Sequence, residues 1–193
     1  MMQVYWCDIQ PVLDQPEPFL RWCRQQGIRP EDYLCLDDAI RHLAGLQLRR
    51  FAAERDGAGL PANVSHSSGL VVCVCGNTAA GIDVEEILPC PALPEGFLTP
   101  EEQRWIQVQE EPHRAFSRLW TRKESLIKAR RRVLADIPAL PSLVEKGVLL
   151  DTVDGLHIRE LSILPEQYTV SVSCGESGPM ELIPLSIHQI FPI

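Results

Sequence analysis

Basic residues are in short supply: 18 lysines and arginines stand against 26 aspartates and glutamates in 193 residues, a formal net charge of −8. That balance argues against coating nucleic acid or an anionic membrane by bulk charge, and neither is expected as a partner. Long apolar runs are missing too. None approaches the roughly 20 residues that span a bilayer, and Met1-Met2-Gln3-Val4-Tyr5 lacks the basic start and apolar core of a signal peptide, so a cytoplasmic address is expected. No C-x-x-C pair occurs. The seven cysteines (Cys7, Cys23, Cys35, Cys73, Cys75, Cys90, Cys174) are odd in number and scattered, which disfavours a zinc site and reads as reduced, mostly buried thiols. The absence of a Walker A loop and of G-x-G-x-x-G excludes nucleotide recognition by those loops, and the absence of a G-x-S-x-G elbow disfavours a serine hydrolase.

What is present is an ordinary globular composition, 45% hydrophobic and 23% charged with a mean hydropathy of −0.04, enough for a real core in one domain or two small lobes. The composition of residues 3–9 predicts a strand, and Pro18–Gln26 a short helix stopped by Gly27. Ile40, Leu43, Ala44, Leu48 and Phe51 recur at helical spacing, predicting an amphipathic helix from about Asp37, with Asp37 or Asp38 as N-cap, to Ala53, with Gly57 as a stop. After a Gly/Pro loop over 55–62, Ser65-His66-Ser67 lies in a polar turn, and a hairpin is expected from Leu70–Cys75 through Gly76-Asn77-Thr78 to Ala80–Glu85. Residues 89–94 interrupt regular structure. Thr99-Pro-Glu-Glu102 spells a capping box, Pro112 opens a second long helix to about Arg130, and strands follow at 148–153, 156–164 and 168–174 with a turn at Asp154-Gly155. The pattern is α+β. An offset of 76 aligns Ala39-Ile40 and Leu43 with Ala115-Phe116 and Leu119, suggesting two related lobes, each a long helix on a small, mainly antiparallel sheet.

Asp83 and Glu85 project from one face of a strand with Cα atoms about 6.5–7 Å apart, close enough to share a cation, and oxygen-only ligands favour magnesium or manganese; two solvated acids on an exposed strand would look the same. Glu124 and Lys128 are four apart on a helix and read either as a surface ion pair or, on a cleft edge, as a metal ligand or base with a phosphate-neutralising cation. Ser65 and His66 could meet an anion or be structural, and Arg41 is unremarkable in isolation. Arg114, Arg118, Arg122, Lys123 and Arg130–Arg132 form a basic segment that is either a solvated helix face or a docking surface for an acidic partner.

In order along the chain, Asn63-Val-Ser-His-Ser-Ser-Gly69, Gly81-Ile-Asp-Val-Glu85 and Leu119-Trp-Thr-Arg-Lys-Glu-Ser-Leu-Ile-Lys128 resemble the three signature motifs of the Sfp-type 4'-phosphopantetheinyl transferases, and Asp38–Gly45 resembles that family's N-lobe helix. The resemblance covers about residues 35–175. It implies a pseudo-twofold α+β fold, an N-terminal lobe over 1–80 and a C-terminal lobe over 81–193 carrying the metal and catalytic motifs. The implied activity is Mg2+-dependent transfer of the phosphopantetheine arm of coenzyme A to a serine of an apo acyl, polyketide or peptidyl carrier protein, releasing adenosine 3',5'-bisphosphate. By motif, Asp83, Glu85 and Glu124 resemble the magnesium-holding acids, and Ser65, His66 and Lys128 the phosphate contacts. Arg41 takes the place of an arginine near the 3'-phosphate, and Glu124 and Lys128 are the catalytic pair.

Three departures stand out. Asp56-Gly-Ala-Gly-Leu-Pro61 lacks the lysine of a Gly-Lys-Pro-like element, Ala129-Arg-Arg-Arg132 replaces a glycine-containing turn, and Ala62 stands where an aromatic is common. A transferase-like protein that binds a carrier or coenzyme A without catalysis, and a metal-dependent phosphodiesterase, are the alternatives. A monomer is expected.

Overall fold

The computed structural model describes residues 1–57, 59–89 and 96–193. Cys90 and the rest of the expected 89–94 interruption lie outside the described residues, except Pro89, as does Ala58 of the preceding loop. The chain divides into two compact units, Met1–Asn77 with Pro179–Ile193, and Thr78–Gly178. Among the described residues no helix is long and apolar enough to cross a membrane.

The first unit contains β1 (Met2–Asp8), α1 (Gln10–Asp14), α2 (Glu17–Gln26), α3 (Leu36–Asp56), β2 (Ala62–Ser67) and β3 (Leu70–Cys75), and after the return of the chain β10 (Met180–Pro184) and α6 (Ile187–Ile190). Gly27 closes α2 in the left-handed conformation at φ 68°, a backbone state that costs glycine little. The N-cap of α3 is Cys35, with no side-chain cap bond, rather than Asp37 or Asp38, which sit in the first turn where acids suit the positive helix end. The sheet order is β10-β1-β3-β2, antiparallel except for the parallel β1–β10 pair. Ile40, Leu43, Ala44 and Leu48 of α3 bury against Tyr5, Cys7, Val71 and Cys73 of the sheet. Gly45 lets helix and strand approach: a Cβ there would lie 2.9 Å from Val64 Cγ1.

The second unit contains β4 (Ala80–Glu86), α4 (Pro100–Gln107), α5 (Pro112–Ala129), a 3-10 turn at Leu134–Ala139, the β5 (Val144–Glu145) and β6 (Val148–Leu149) pair, β7 (Thr152–Val153), β8 (Leu156–Glu160) and β9 (Tyr168–Cys174). Its antiparallel sheet runs β4-β9-β8-β7. Asp154 and Gly155, with φ of 48° and 78°, make the tight β7–β8 turn that the Asp-Gly pair predicts. The expected capping box is present: Thr99 Oγ1 accepts from the Glu102 amide at 3.2 Å and Glu102 Oε2 accepts from the Thr99 amide at 2.7 Å. Leu119 and Leu126 of α5 bury against Val153, Ile158 and Leu143.

The expected 70–85 hairpin does not form. β3 pairs with β1 and β2, while β4 pairs with β9, so the turn residues 76–78 carry the chain from one unit to the next. The hairpin in this region is β2–β3, and Ser65 to Ser67 are strand residues of it rather than a polar turn. Against the expected lobes 1–80 and 81–193, the second unit begins at Thr78 and loses its last fifteen residues, because β10 adds to β1 and carries 179–193 into the first unit.

Candidate active site

Strand alternation and one helix build the acidic cluster. In the β4–β9 register Gly81 faces Ser173, Asp83 faces Ser171 and Glu85 faces Thr169, so these side chains share the sheet face covered by α5, and Ile82 and Val84 take the other. Gly81 is required here, because a Cβ would run into the backbone of Ser125 and Ala129 on the helix. The close approach brings Glu124 to the strand carboxylates: one oxygen each of Asp83, Glu85 and Glu124 lie within 4.8 Å of one another. Lys128, one turn beyond Glu124, reaches Asp83 Oδ1 at 2.5 Å and Glu124 Oε2 at 3.3 Å.

The electrostatics are those of a partly buried charge cluster. Asp83 is only 2% exposed, and burial, aided by Glu124 and opposed by Lys128, pushes its carboxyl up to about 7. Burial pulls the Lys128 ammonium down, but the Asp83 and Glu124 carboxylates outweigh it and the net shift is upward, so Lys128 stays charged at neutral pH. Three hard oxygen donors within 4.8 Å of one another suit magnesium or manganese, and the donor set contains no sulfur or imidazole that would favour zinc.

A family model described as the 4'-phosphopantetheinyl transferase superfamily matches residues 79–176, which hold this whole cluster. The chain belongs to that superfamily. The 4'-phosphopantetheinyl transferase gsp of Aneurinibacillus migulanus is 41% identical over 70 residues, 35% of this chain and 30% of the relative. The 4'-phosphopantetheinyl transferase psf-1 of Bacillus pumilus is 28% identical over 160 residues, 66% of this chain and 68% of the relative.

Of the residues singled out from the transferase-like motifs, the fold brings together Asp83, Glu85, Glu124 and Lys128. The other three belong to the first unit: Arg41 is half-buried on α3, and Ser65 (buried) and His66 (exposed) are neighbours on β2. Most of the basic segment is engaged in hydrogen bonds and ion pairs within the chain. Arg122 is clamped to Glu160 (2.7 Å), the Leu150 carbonyl (2.8 Å) and Asp151 (3.1 Å), and Arg118 forks onto Glu160. Arg114 donates to the Pro165 carbonyl, Lys123 is buried on Glu102, and Arg130 binds Asp154. Among the described residues Arg131 and Arg132 are the members of the segment that are exposed and carry no ion pair.

Sequence reasoning missed a polar seam. Thr121 Oγ1 lies 2.8 Å from Ser171 Oγ, and Ser125 Oγ lies 2.7 Å from Ser173 Oγ, all four residues with no solvent exposure. The signal was two hydroxyl residues four apart on an otherwise apolar helix face and two serines two apart on a strand, which only the tertiary pairing makes informative.

Proposed function

We propose that this chain transfers the 4'-phosphopantetheine arm of coenzyme A to a serine of an apo carrier protein of the acyl, polyketide or peptidyl kind, releasing adenosine 3',5'-bisphosphate. The observation that carries the reading is the convergence of Asp83, Glu85 and Glu124 with the Lys128 ammonium, in a chain of this superfamily. The names of the two relatives support it.

The serine oxygen forms a bond to the phosphorus that bears the pantetheine arm, and the bond to the bridging pyrophosphate oxygen breaks, that oxygen leaving with the electron pair. The serine proton needs an acceptor. Glu124, at the edge of the cluster and partly open to solvent, is the proposed base. Lys128, kept cationic by its two carboxylate neighbours, offers a donor to the departing phosphate. Asp83, Glu85 and Glu124 would hold Mg2+, or Mn2+; when bound, such an ion neutralises charge on the pyrophosphate oxygens. Ser65 and His66 are proposed as further phosphate contacts, and Arg41 as a contact to the 3'-phosphate. Arg131 and Arg132 are what remains of the basic segment to meet an acidic carrier.

The test is intact mass of a panel of apo carriers after incubation with the protein, coenzyme A and Mg2+, with and without EDTA. A metal-dependent gain of one phosphopantetheinyl group supports the reading. Glu124→Gln should abolish the gain while coenzyme A still binds; near-normal turnover would remove Glu124 as the base. Bound coenzyme A with no modified carrier would point to a non-catalytic binder, and hydrolysed coenzyme A without a carrier to a phosphodiesterase.

A further inference from the structure

We infer that the hydroxyl pairs Thr121–Ser171 and Ser125–Ser173, together with Gly81, are positioning residues that set the register of α5 over β4 and so hold Glu124 against Asp83 and Glu85; this rests on the proposed cation site.

The seam is chemically specific. Thr121 Oγ1 lies 3.1 Å from the Arg118 carbonyl and Ser125 Oγ 2.9 Å from the Arg122 carbonyl, so each helix hydroxyl spends its single proton on its own helix. The arrangement that satisfies all four bonds at once has the strand serines donating to the helix hydroxyls. Ser171 is the cross-strand partner of Asp83 and Ser173 that of Gly81, so each pair ties the helix to a rung holding a metal-site residue or the glycine that permits contact. An aliphatic seam at these positions would be non-directional and would tolerate sliding of one element along the other. Two hydroxyl bonds of 2.8 and 2.7 Å, one helical turn apart, do not. Glu124 stands between the two tethers in sequence, and Lys128 follows the second by three residues. Beside the seam on the same helix, Leu119 and Leu126 supply apolar packing against Val153 and Ile158. The hydroxyls are therefore spare for core formation.

The test is calorimetric titration of the purified full chain with Mg2+ alone, alongside urea unfolding. Thr121→Val with Ser171→Ala removes both partners of one bond, a change that leaves stability near the wild type. Its Mg2+ affinity should nevertheless fall about tenfold, while Thr121→Ser, which keeps the hydroxyl, should bind as the wild type does. Ser125→Ala with Ser173→Ala should behave like the first double variant and serves in its place if that one fails to fold. Wild-type Mg2+ affinity in the folded double variants would overturn the positioning role. Glu124→Gln separates the two levels: unchanged Mg2+ binding there would overturn the cation site itself. Lost binding there with intact binding in the double variants would overturn the positioning role alone.

Discussion

A lysine ammonium removed from water is tolerated only where a carboxylate and further acceptors meet it. Lys123, 1% exposed, satisfies that condition with Glu102, 0% exposed, at 2.8 Å and with the Phe97 carbonyl at 3.2 Å. Glu102 also accepts from the Leu143 amide at 2.9 Å and closes the Thr99 capping box, so one buried carboxylate joins α4, α5 and the chain before β5. Lys123→Met should cost about 3–5 kcal/mol in urea unfolding because it strands that carboxylate, and adding Glu102→Gln should recover part of the loss. A cost below about 0.5 kcal/mol would show that the pair carries no such role. Asp83 makes the second residue-level prediction. An unfolded aspartate titrates near about 4, and burial lifts the folded value to about 7. Between those values the folded state binds more protons than the unfolded one, so the contribution of Asp83 to metal-free stability is fully present below the lower value and is lost as pH rises through the upper one. A cation needs the ionised carboxylate and gains over the same window. Mg2+ should therefore raise the melting temperature more at about pH 8 than at about pH 6. Equal stabilisation at both would show that Asp83 is not a ligand.

At the scale of elements, the α5–β4 contact turns on a missing Cβ. Gly81→Ala would press a methyl group into the Ser125 carbonyl and Ala129 amide, and backbone cannot yield as a side-chain tip can. The expected loss is about 1–3 kcal/mol in urea unfolding, with weakened Mg2+ binding as the helix lifts. Wild-type behaviour in both would mean that helix and strand are not held at this separation. Much of this level was legible in the sequence. The α3 and α5 helices and β9 follow from periodicity, with Gly57 ending α3 and Pro112 opening α5. Spacing two on a strand and four on a helix pairs the four charges two by two, while their joining in one site was read only from the resemblance of the motifs. What was not legible depends on partners far along the chain. The β3 and β4 strands read as one hairpin because turn chemistry at Gly76-Asn77-Thr78 does not record that each strand pairs elsewhere. The arginines of α5 and its C-terminus read as a charged face because their acids, Glu160, Asp151 and Asp154, lie 24 to 42 positions away.

At the scale of the whole molecule, the chain leaves its first unit after Asn77 and returns to it at Pro179. The return is secured at three points: β10 lies parallel to β1, the Leu185 amide donates to the Trp6 carbonyl at 2.8 Å, and Phe191 sits fully buried with its ring 5.3 Å from Phe19 and 4.9 Å from Trp22. A division read from motif positions alone places these last residues with the unit that holds the acidic cluster, because a parallel pairing of the two ends of a unit leaves no local signature. Phe191→Ala should cost about 3–5 kcal/mol, the range for emptying a buried aromatic site. Ending the chain at Gly178 should cost more, since it also strips β1 of a hydrogen-bonded neighbour and opens Trp22 to water, which a red shift in tryptophan emission would report. The acidic cluster lies wholly within Thr78–Gly178, so Mg2+ titration of the shortened chain asks whether that unit keeps its own geometry when the other is damaged. Retained Mg2+ affinity beside a lowered unfolding midpoint is the expected pair of results. A shortened chain with the wild-type midpoint would show that the C-terminal strand is not part of the first unit's stable core.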